Sequence, residues 1–183
     1  MEEVSVCLLG GYGMPAELGL AAFKRLRTRG MLDGSACPSD IENELSLPFD
    51  VFGKPRKYRF ARQKSQYLSR SLEMLRNAQV PSEPKMLRDY LTTLPGVGPK
   101  TASWAVRNHY GSDDVAILDV HIVRAGIEFG LFEVDTDPSR NYYELENRLL
   151  MFCAAIEEPI SFLDAIMWDY MRRIGPTANR RVH

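Results

Sequence analysis

The chain has 183 residues and a formal net charge of −1, with 45% hydrophobic and 26% charged residues, an ordinary globular composition with room for one solid domain or two small lobes sharing a core. No apolar run approaches the ~20 residues that span a bilayer, and the first, Val4 to Leu9, follows Glu2 and Glu3 rather than the basic start of a signal peptide, so no membrane partner is expected. Cys7, Cys37 and Cys153 are too few and too far apart for a disulfide framework or a Cys-x-x-Cys metal site, which fits a reducing, intracellular setting in the cytoplasm or nucleoid.

The pattern is mostly helical, and an all-α fold is expected. Residues 2–10 read as a short apolar helix closed by Gly10-Gly11. A second helix has Pro15 in its first turn and apolar Leu18, Leu20, Ala21 and Phe23. Its basic end (Lys24, Arg25, Arg27, Arg29) suits the negative pole of the helix dipole, and it stops at Gly30. A loop over 31–38 leads to a short helix over 40–46, capped by Pro38-Ser39-Asp40. One long helix is expected over 58–78, broken by Val80-Pro81-Ser82. Ser82 reads as the cap of a helix over 83–93, with Glu83 and Pro84 in the first turn. A Gly-rich hairpin, a helix over 99–109 and a turn from Gly111 to Asp114 follow. The apolar run Val115-Ala116-Ile117-Leu118 is the one serious strand candidate and has no partner. Helices over 120–129, 138–155 and 160–173 close the chain, the acidic 138–155 reading as a helix that faces water.

Near-neutral net charge conceals an uneven distribution. Between Lys54 and Arg70 lie Lys54, Arg56, Lys57, Arg59, Arg62, Lys64 and Arg70, with no acid and with Tyr58, Phe60 and Tyr67 interleaved. The tail adds Arg172, Arg173, Arg180 and Arg181, while acids gather in 133–137 and 144–158. Such a stripe is either a solvated helix face or a phosphate footprint, with Arg59 and Arg62 at its centre.

The densest signal is Leu94-Pro95-Gly96-Val97-Gly98-Pro99-Lys100, with Asp119 nineteen residues after the lysine. Glycine permits the positive φ of a tight hairpin and lets a ligand approach the backbone. The N–H groups of the hairpin and the positive end of the next helix form an anion site suited to phosphate, which makes Gly96 and Gly98 candidate DNA-phosphate contacts. Pro99 is preorganised for the first helical position. Lys100 sits where the helix dipole disfavours a cation by ~0.3–1 kcal/mol, which favours the neutral amine, the form that attacks a sugar carbon and yields a Schiff base. The alternative is a solvated lysine or a simple phosphate contact. Asp119 reads as the N-cap of helix 120–129 and, compatibly, as a carboxylate that takes a proton or stabilises an oxocarbenium-like sugar.

These residues, with Leu118-Asp119-Val120-His121-Ile122-Val123-Arg124, resemble the helix-hairpin-helix-Gly-Pro-Asp superfamily of DNA glycosylases. The resemblance spans about residues 4 to 175. It implies an all-α fold of two helical lobes with a DNA cleft between them, in a single domain with the hairpin motif at about 83–109 and both termini in one lobe. It further implies a monomer acting on double-stranded DNA with a damaged base. In that pattern Lys100 falls on the position of the bifunctional members, where the amine attacks C1′, displaces the base and leaves a Schiff base that permits β-elimination. Asp119 falls on the assisting carboxylate. The backbone carbonyls of Thr92, Leu94 and Val97 fall where the hairpin holds a monovalent cation, K+ or Na+, beside a phosphate. His121 falls where some relatives contact a phosphate of the extruded nucleotide.

Endonuclease-III-like members carry four closely spaced cysteines for an iron–sulfur cluster. Only Cys153 lies in that half here, so no cluster and no required cofactor are expected. Val115 to Arg124 and the ending Leu163-Asp164-Ala165-Ile166-Met167-Trp168 are most similar to 8-oxoguanine DNA glycosylases, especially their compact second branch. On that likeness Trp168 stacks on the flipped purine and Asp164 bonds its edge, as a flipped-base pocket requires. Two departures stand out. The usual N-terminal helical segment is expected to be missing or short, with part of the pocket wall absent or supplied after Gly175. The turn that fills the gap left by the flipped base reads Gly10-Gly11-Tyr12-Gly13-Met14, so either Tyr12 stacks into the gap or the glycines, Gly11 among them, admit the base. Oxidised pyrimidines or abasic sites are the alternative substrates. A non-catalytic helix-hairpin-helix DNA-binding module and a monofunctional glycosylase are the alternative functions.

Overall fold

The structure, a computed structural model, describes residues 1–11 and 13–174. Tyr12 and the tail arginines Arg180 and Arg181 therefore lie outside the described residues. Among those described, nine helices and one two-stranded sheet bear out the all-α class. None of these helices is long and apolar enough to cross a membrane. The chain divides into two compact units, Met1–His109 and Tyr110–His183.

The first unit holds α1 (Glu2–Leu9), α2 (Ala16–Thr28), α3 (Pro38–Ser46), β1 (Phe49–Val51), β2 (Lys54–Arg56), α4 (Ala61–Arg76), α5 (Pro84–Leu91) and α6 (Pro99–Tyr110). Leu8, Leu26, Ile41, Leu45, Leu68 and Leu72 are among its fully buried side chains. Pro15 precedes α2 as its N-cap rather than sitting in its first turn, and α3 starts at Pro38. The basic end of α2 serves more than its own dipole. Arg25 donates from Nη1 to the carbonyls of Glu44 (2.8 Å) and Leu47 (3.0 Å) and from Nη2 to that of Pro48 (2.7 Å). Its guanidinium also stacks 3.6 Å from the centre of the Phe49 ring. One side chain thus satisfies the open carbonyls at the end of α3 and fixes the chain where β1 begins.

The long helix expected from residue 58 begins instead at Ala61, because the preceding segment is a β-hairpin. Phe49 pairs with Arg56, Asp50 with Pro55 and Val51 with Lys54, antiparallel. Its turn residues Phe52 and Gly53 have φ of 55° and 73°, the sign that matches the twist of paired strands, and Asp50 Oδ1 accepts the Gly53 N–H at 2.8 Å. Asn-Gly or Asp-Gly would have announced this turn. Phe-Gly does not, since a bulky residue seldom takes left-handed backbone. The cap of α5 also differs from expectation: Glu83, not Ser82, accepts the N–H groups of Lys85 (3.0 Å) and Met86 (2.7 Å), with Pro84 at the first helical position. Glutamate reaches back as serine would, one residue later.

The second unit packs α7 (Val120–Glu128), α8 (Pro138–Ala155) and α9 (Ile160–Ile174) around Leu118, Ile122, Leu145, Leu149, Met167 and Met171. Val115 to Leu118 belongs to no sheet; it begins in a bend and closes on itself where the Asp119 N–H donates to the Ile117 carbonyl at 2.9 Å. Side chains of α8 take the place of a partner strand. Glu146 Oε1 accepts the Ala116 N–H at 2.9 Å. The Tyr142 hydroxyl accepts from the Leu118 N–H (3.2 Å) and donates to the Ala116 carbonyl (2.8 Å). Helix α8 therefore does not simply face water: Tyr142 and Glu146 are 6% and 4% exposed.

Candidate active site

The hairpin between α5 and α6 is built from its own backbone. The Val97 N–H donates to the Leu94 carbonyl at 3.1 Å, closing a turn with Pro95 second and Gly96, at φ 75°, third, the arrangement that calls for Pro-Gly. A Cβ at Gly96 would overlap the ring of Tyr67 from α4, and Ser71 of α4 donates to the Pro95 carbonyl at 3.0 Å. Gly98 differs. It is exposed, its φ is not in the left-handed region, and an added Cβ would meet nothing within 4 Å. Gly96 is therefore required by the fold, whereas Gly98 leaves open space beside the backbone. The N–H groups of Gly98, Lys100 and Thr101 donate to no backbone acceptor among the described residues. They are the open donors of a helix start, aimed where an anion is favoured.

Lys100 is half-buried in the first turn of α6. Among the described residues of its unit the amine makes no hydrogen bond or ion pair, so it is uncommitted there. Of the three carbonyls expected to hold a monovalent cation, that of Leu94 already accepts the Val97 N–H, while those of Thr92 and Val97 accept no backbone hydrogen bond among the described residues. Lone pairs remain on all three, and an oxygen-only donor set fits a hard cation.

The centre of the basic stripe lies beside the Gly11 turn. The Tyr58 hydroxyl donates to the Leu9 carbonyl at 2.6 Å. A Cβ at Gly13 would meet Arg59 Nη2 at 3.5 Å, which places the guanidinium against that turn. Arg59 also lies 4.6 Å above the Phe60 ring. Arg59 and Arg62 are exposed and form no ion pair among the described residues. Lys64 departs from the solvated-face reading of its helix: it is half-buried, and burial lowers its pKa below the ordinary lysine range. Gly11, at φ 70°, has open space around its Cα.

In the second unit Asp119 caps α7 as expected. Its Oδ1 accepts the N–H groups of His121 (2.8 Å) and Ile122 (2.9 Å), leaving Oδ2 outside both bonds. His121 is half-buried, and its Nδ1 is buried without a hydrogen-bond partner among the described residues. Its ring meets Trp168 edge-on, centroids 5.9 Å apart. Trp168 is 39% exposed, so it is no core aromatic, and Arg172 sits 5.0 Å above its ring. Asp164, one turn earlier on α9, is half-buried and close enough to Cys153 for its charge, after burial and Asp113, to help raise that thiol's pKa. The structure thus brings His121 and Trp168 together and carries Asp164 on the same helix as Trp168. Tyr142 and Glu146, which hold the segment ending in Asp119, escaped the sequence reading; the available signal was an apolar run with no strand to pair with.

A family model described as 8-oxoguanine DNA glycosylase matches residues 1–158. The chain belongs to this family. Among curated relatives, the 8-oxoguanine DNA glycosylase/AP lyase of Methanocaldococcus jannaschii is 34% identical over 137 residues, covering 70% of this chain and 65% of the relative. The protein of the same name from Fusobacterium nucleatum subsp. nucleatum is 26% identical over 128 residues, covering 60% of this chain and 56% of the relative. The chain therefore spans less than two thirds of either curated relative. A crystal structure of the M. jannaschii glycosylase/lyase with a 15mer DNA containing 8-oxoguanine superposes with a TM-score of 0.72 at 27% identity, covering 95% of this chain and 80% of that one.

Proposed function

We propose that this protein excises 8-oxoguanine from duplex DNA and then nicks the strand, acting as a monomer inside the cell and needing no cofactor. The observation that carries the reading is the uncommitted, half-buried Lys100 directly after a hairpin whose open N–H groups face no backbone acceptor. Membership of the 8-oxoguanine DNA glycosylase family and the glycosylase/AP lyase names of the relatives support the substrate. The neutral Lys100 amine bonds to C1′ as the glycosidic bond breaks and the base leaves with the bonding pair. One amine proton passes to the departing base; the nitrogen lone pair then opens the sugar ring, with O4′ taking a proton, and gives the protonated C1′=N Schiff base. Removal of a C2′ proton then expels the 3′ phosphate. Asp119, through Oδ2, accepts a proton or faces the positive charge developing on the sugar.

In this reading the N–H groups at Gly98 and Lys100, with Arg59 and Arg62, hold phosphates of the strand. Trp168 stacks on the flipped purine, Asp164 bonds its edge, and His121 meets a phosphate of the extruded nucleotide. A K+ or Na+ ion on the carbonyls of Thr92, Leu94 and Val97 would add positive charge beside the hairpin phosphate. Borohydride trapping on a duplex with one 8-oxoguanine tests the proposal. The wild-type chain should give a covalent adduct and Lys100→Gln none. An adduct on an abasic duplex alone would keep the lyase step and reject the base, and no adduct on either would reject Schiff-base chemistry.

A further inference from the structure

The tip of the β1–β2 hairpin carries a residue that does nothing for the fold. Phe52 is 84% exposed and has φ 55°. A bulky side chain in left-handed backbone is strained, and its ring packs on nothing here. The turn is already specified without it: Asp50 accepts the Gly53 N–H, and Gly53 takes its own positive φ freely. Strain concentrates at functional positions, so the outlier needs a reason outside the fold.

The surroundings say what kind. Lys54, Arg56 and Lys57 are exposed and enter no ion pair among the described residues. Asp50, the nearest acid in sequence, is engaged in the turn. Three unpaired cations beside an apolar tip suit a polyanion rather than a protein groove. The base of the hairpin is firmly rooted. Phe49 is 2% exposed beneath the Arg25 guanidinium. Its ring lies 6.3 Å from that of Tyr58, which is itself tied to Leu9. A rigid root with a protruding apolar tip is the form of a wedge. The segment runs on without a break into Arg59 and Arg62.

We infer that the hairpin is a second DNA-contacting element, in which the Phe52 ring enters the minor groove of the duplex and Lys54, Arg56 and Lys57 hold the flanking phosphates. Apolar wedges flanked by cations are a recurring way to grip that groove. The inference rests on the proposal that the chain works on duplex DNA, and adds a contact beyond the lysine, the carboxylate and the base pocket.

The test uses the whole chain and a labelled, undamaged duplex, with affinity read by fluorescence anisotropy over a salt series. Phe52→Gly should bind about tenfold more weakly, while its unfolding midpoint holds or rises because the strain is gone. A merely structural Phe52 would show the opposite: a lower midpoint and unchanged affinity. Lys54→Ala combined with Arg56→Ala should flatten the slope of log K against log salt by about two. Wild-type affinity in Phe52→Gly overturns the wedge, and an unchanged slope in the double variant overturns the phosphate contacts. Borohydride trapping of the wild type on 8-oxoguanine DNA runs alongside. No adduct there overturns the proposed activity, and affinity for undamaged duplex then decides the hairpin by itself.

Discussion

The turn before Lys100 and the segment before Asp119 lead to the two candidate catalytic groups, and they are held by opposite means. The first closes on its own backbone through the Val97–Leu94 hydrogen bond and the positive φ of Gly96. The second makes one short backbone bond, from the Asp119 N–H to the Ile117 carbonyl at 2.9 Å, and is otherwise held by two side chains, Tyr142 and Glu146, roughly 25–30 positions away in sequence. A locally closed turn depends on a few adjacent residues being right. A segment clamped from a distance depends on a helix that has to fold and pack first. The groups they deliver differ in the same sense: the amine of Lys100 is uncommitted within its unit, while one oxygen of Asp119 is already engaged.

Substitutions can break or sharpen this contrast. Asp119→Asn should keep the cap, since asparagine caps as well as aspartate, yet lower the excision rate by about 10²–10⁴. Asp119→Ala should add a loss of about 1 kcal/mol in stability. Single-turnover kinetics with parallel urea melts separate the two, and equal rates for Asp119→Asn and wild type would reduce Asp119 to a cap. Within the hairpin, Gly96→Ala meets both the Tyr67 ring and a left-handed backbone and should destabilise by roughly 2–4 kcal/mol. Gly98→Ala has neither obstacle, so its stability should stay within about 0.5 kcal/mol while affinity for DNA falls. Should the two glycines behave alike in both assays, the assignment of Gly98 to ligand approach fails.

Tyr142→Phe removes the hydroxyl that serves Leu118 and Ala116, leaving a buried donor and acceptor unmade at about 1–3 kcal/mol. Because the segment ends in Asp119, kcat should fall with KM little changed, and a fall in stability alone would show that the clamp does not reach the carboxylate. The smallest effect concerns Lys64, whose pKa burial holds below the ordinary lysine range. The unfolded chain then binds more protons than the folded one between the two pKa values, so stability rises with pH through that window. Lys64→Met should be slightly more stable than wild type at neutral pH, and the gain should vanish once pH passes the ordinary lysine range. A pH-independent difference in melting temperature would contradict this.

Legibility in sequence followed the same division. Pro95-Gly96 writes its turn in four adjacent letters, Pro99 marks the start of α6, and Asp119 before an apolar helix marks its cap. All of these act over one turn of chain, where steric rules are strong. The β-hairpin was hidden because Phe52 stands where the turn chemistry asks for glycine or asparagine, and because β2 is only Lys54-Pro55-Arg56, with no apolar alternation to betray a strand. The clamp was hidden because a glutamate in an acidic helix gives no sign that it will be buried. Only Val115 to Leu118, an apolar run with no strand to join, showed that some partner was missing. The edge contact of His121 with Trp168 joins α7 to α9 and could be suspected only from family likeness.

The commitment of Asp119 Oδ1 to two amide hydrogens has a geometric consequence. A carboxylate that can spin about its last bond offers either oxygen in any direction and loses that freedom only when it reacts. Here the rotor is already locked by folding, so Oδ2 presents its lone pairs along one fixed bearing. Whatever proton or cationic carbon meets this group must arrive along that bearing, and no rotational freedom remains to be lost when it does.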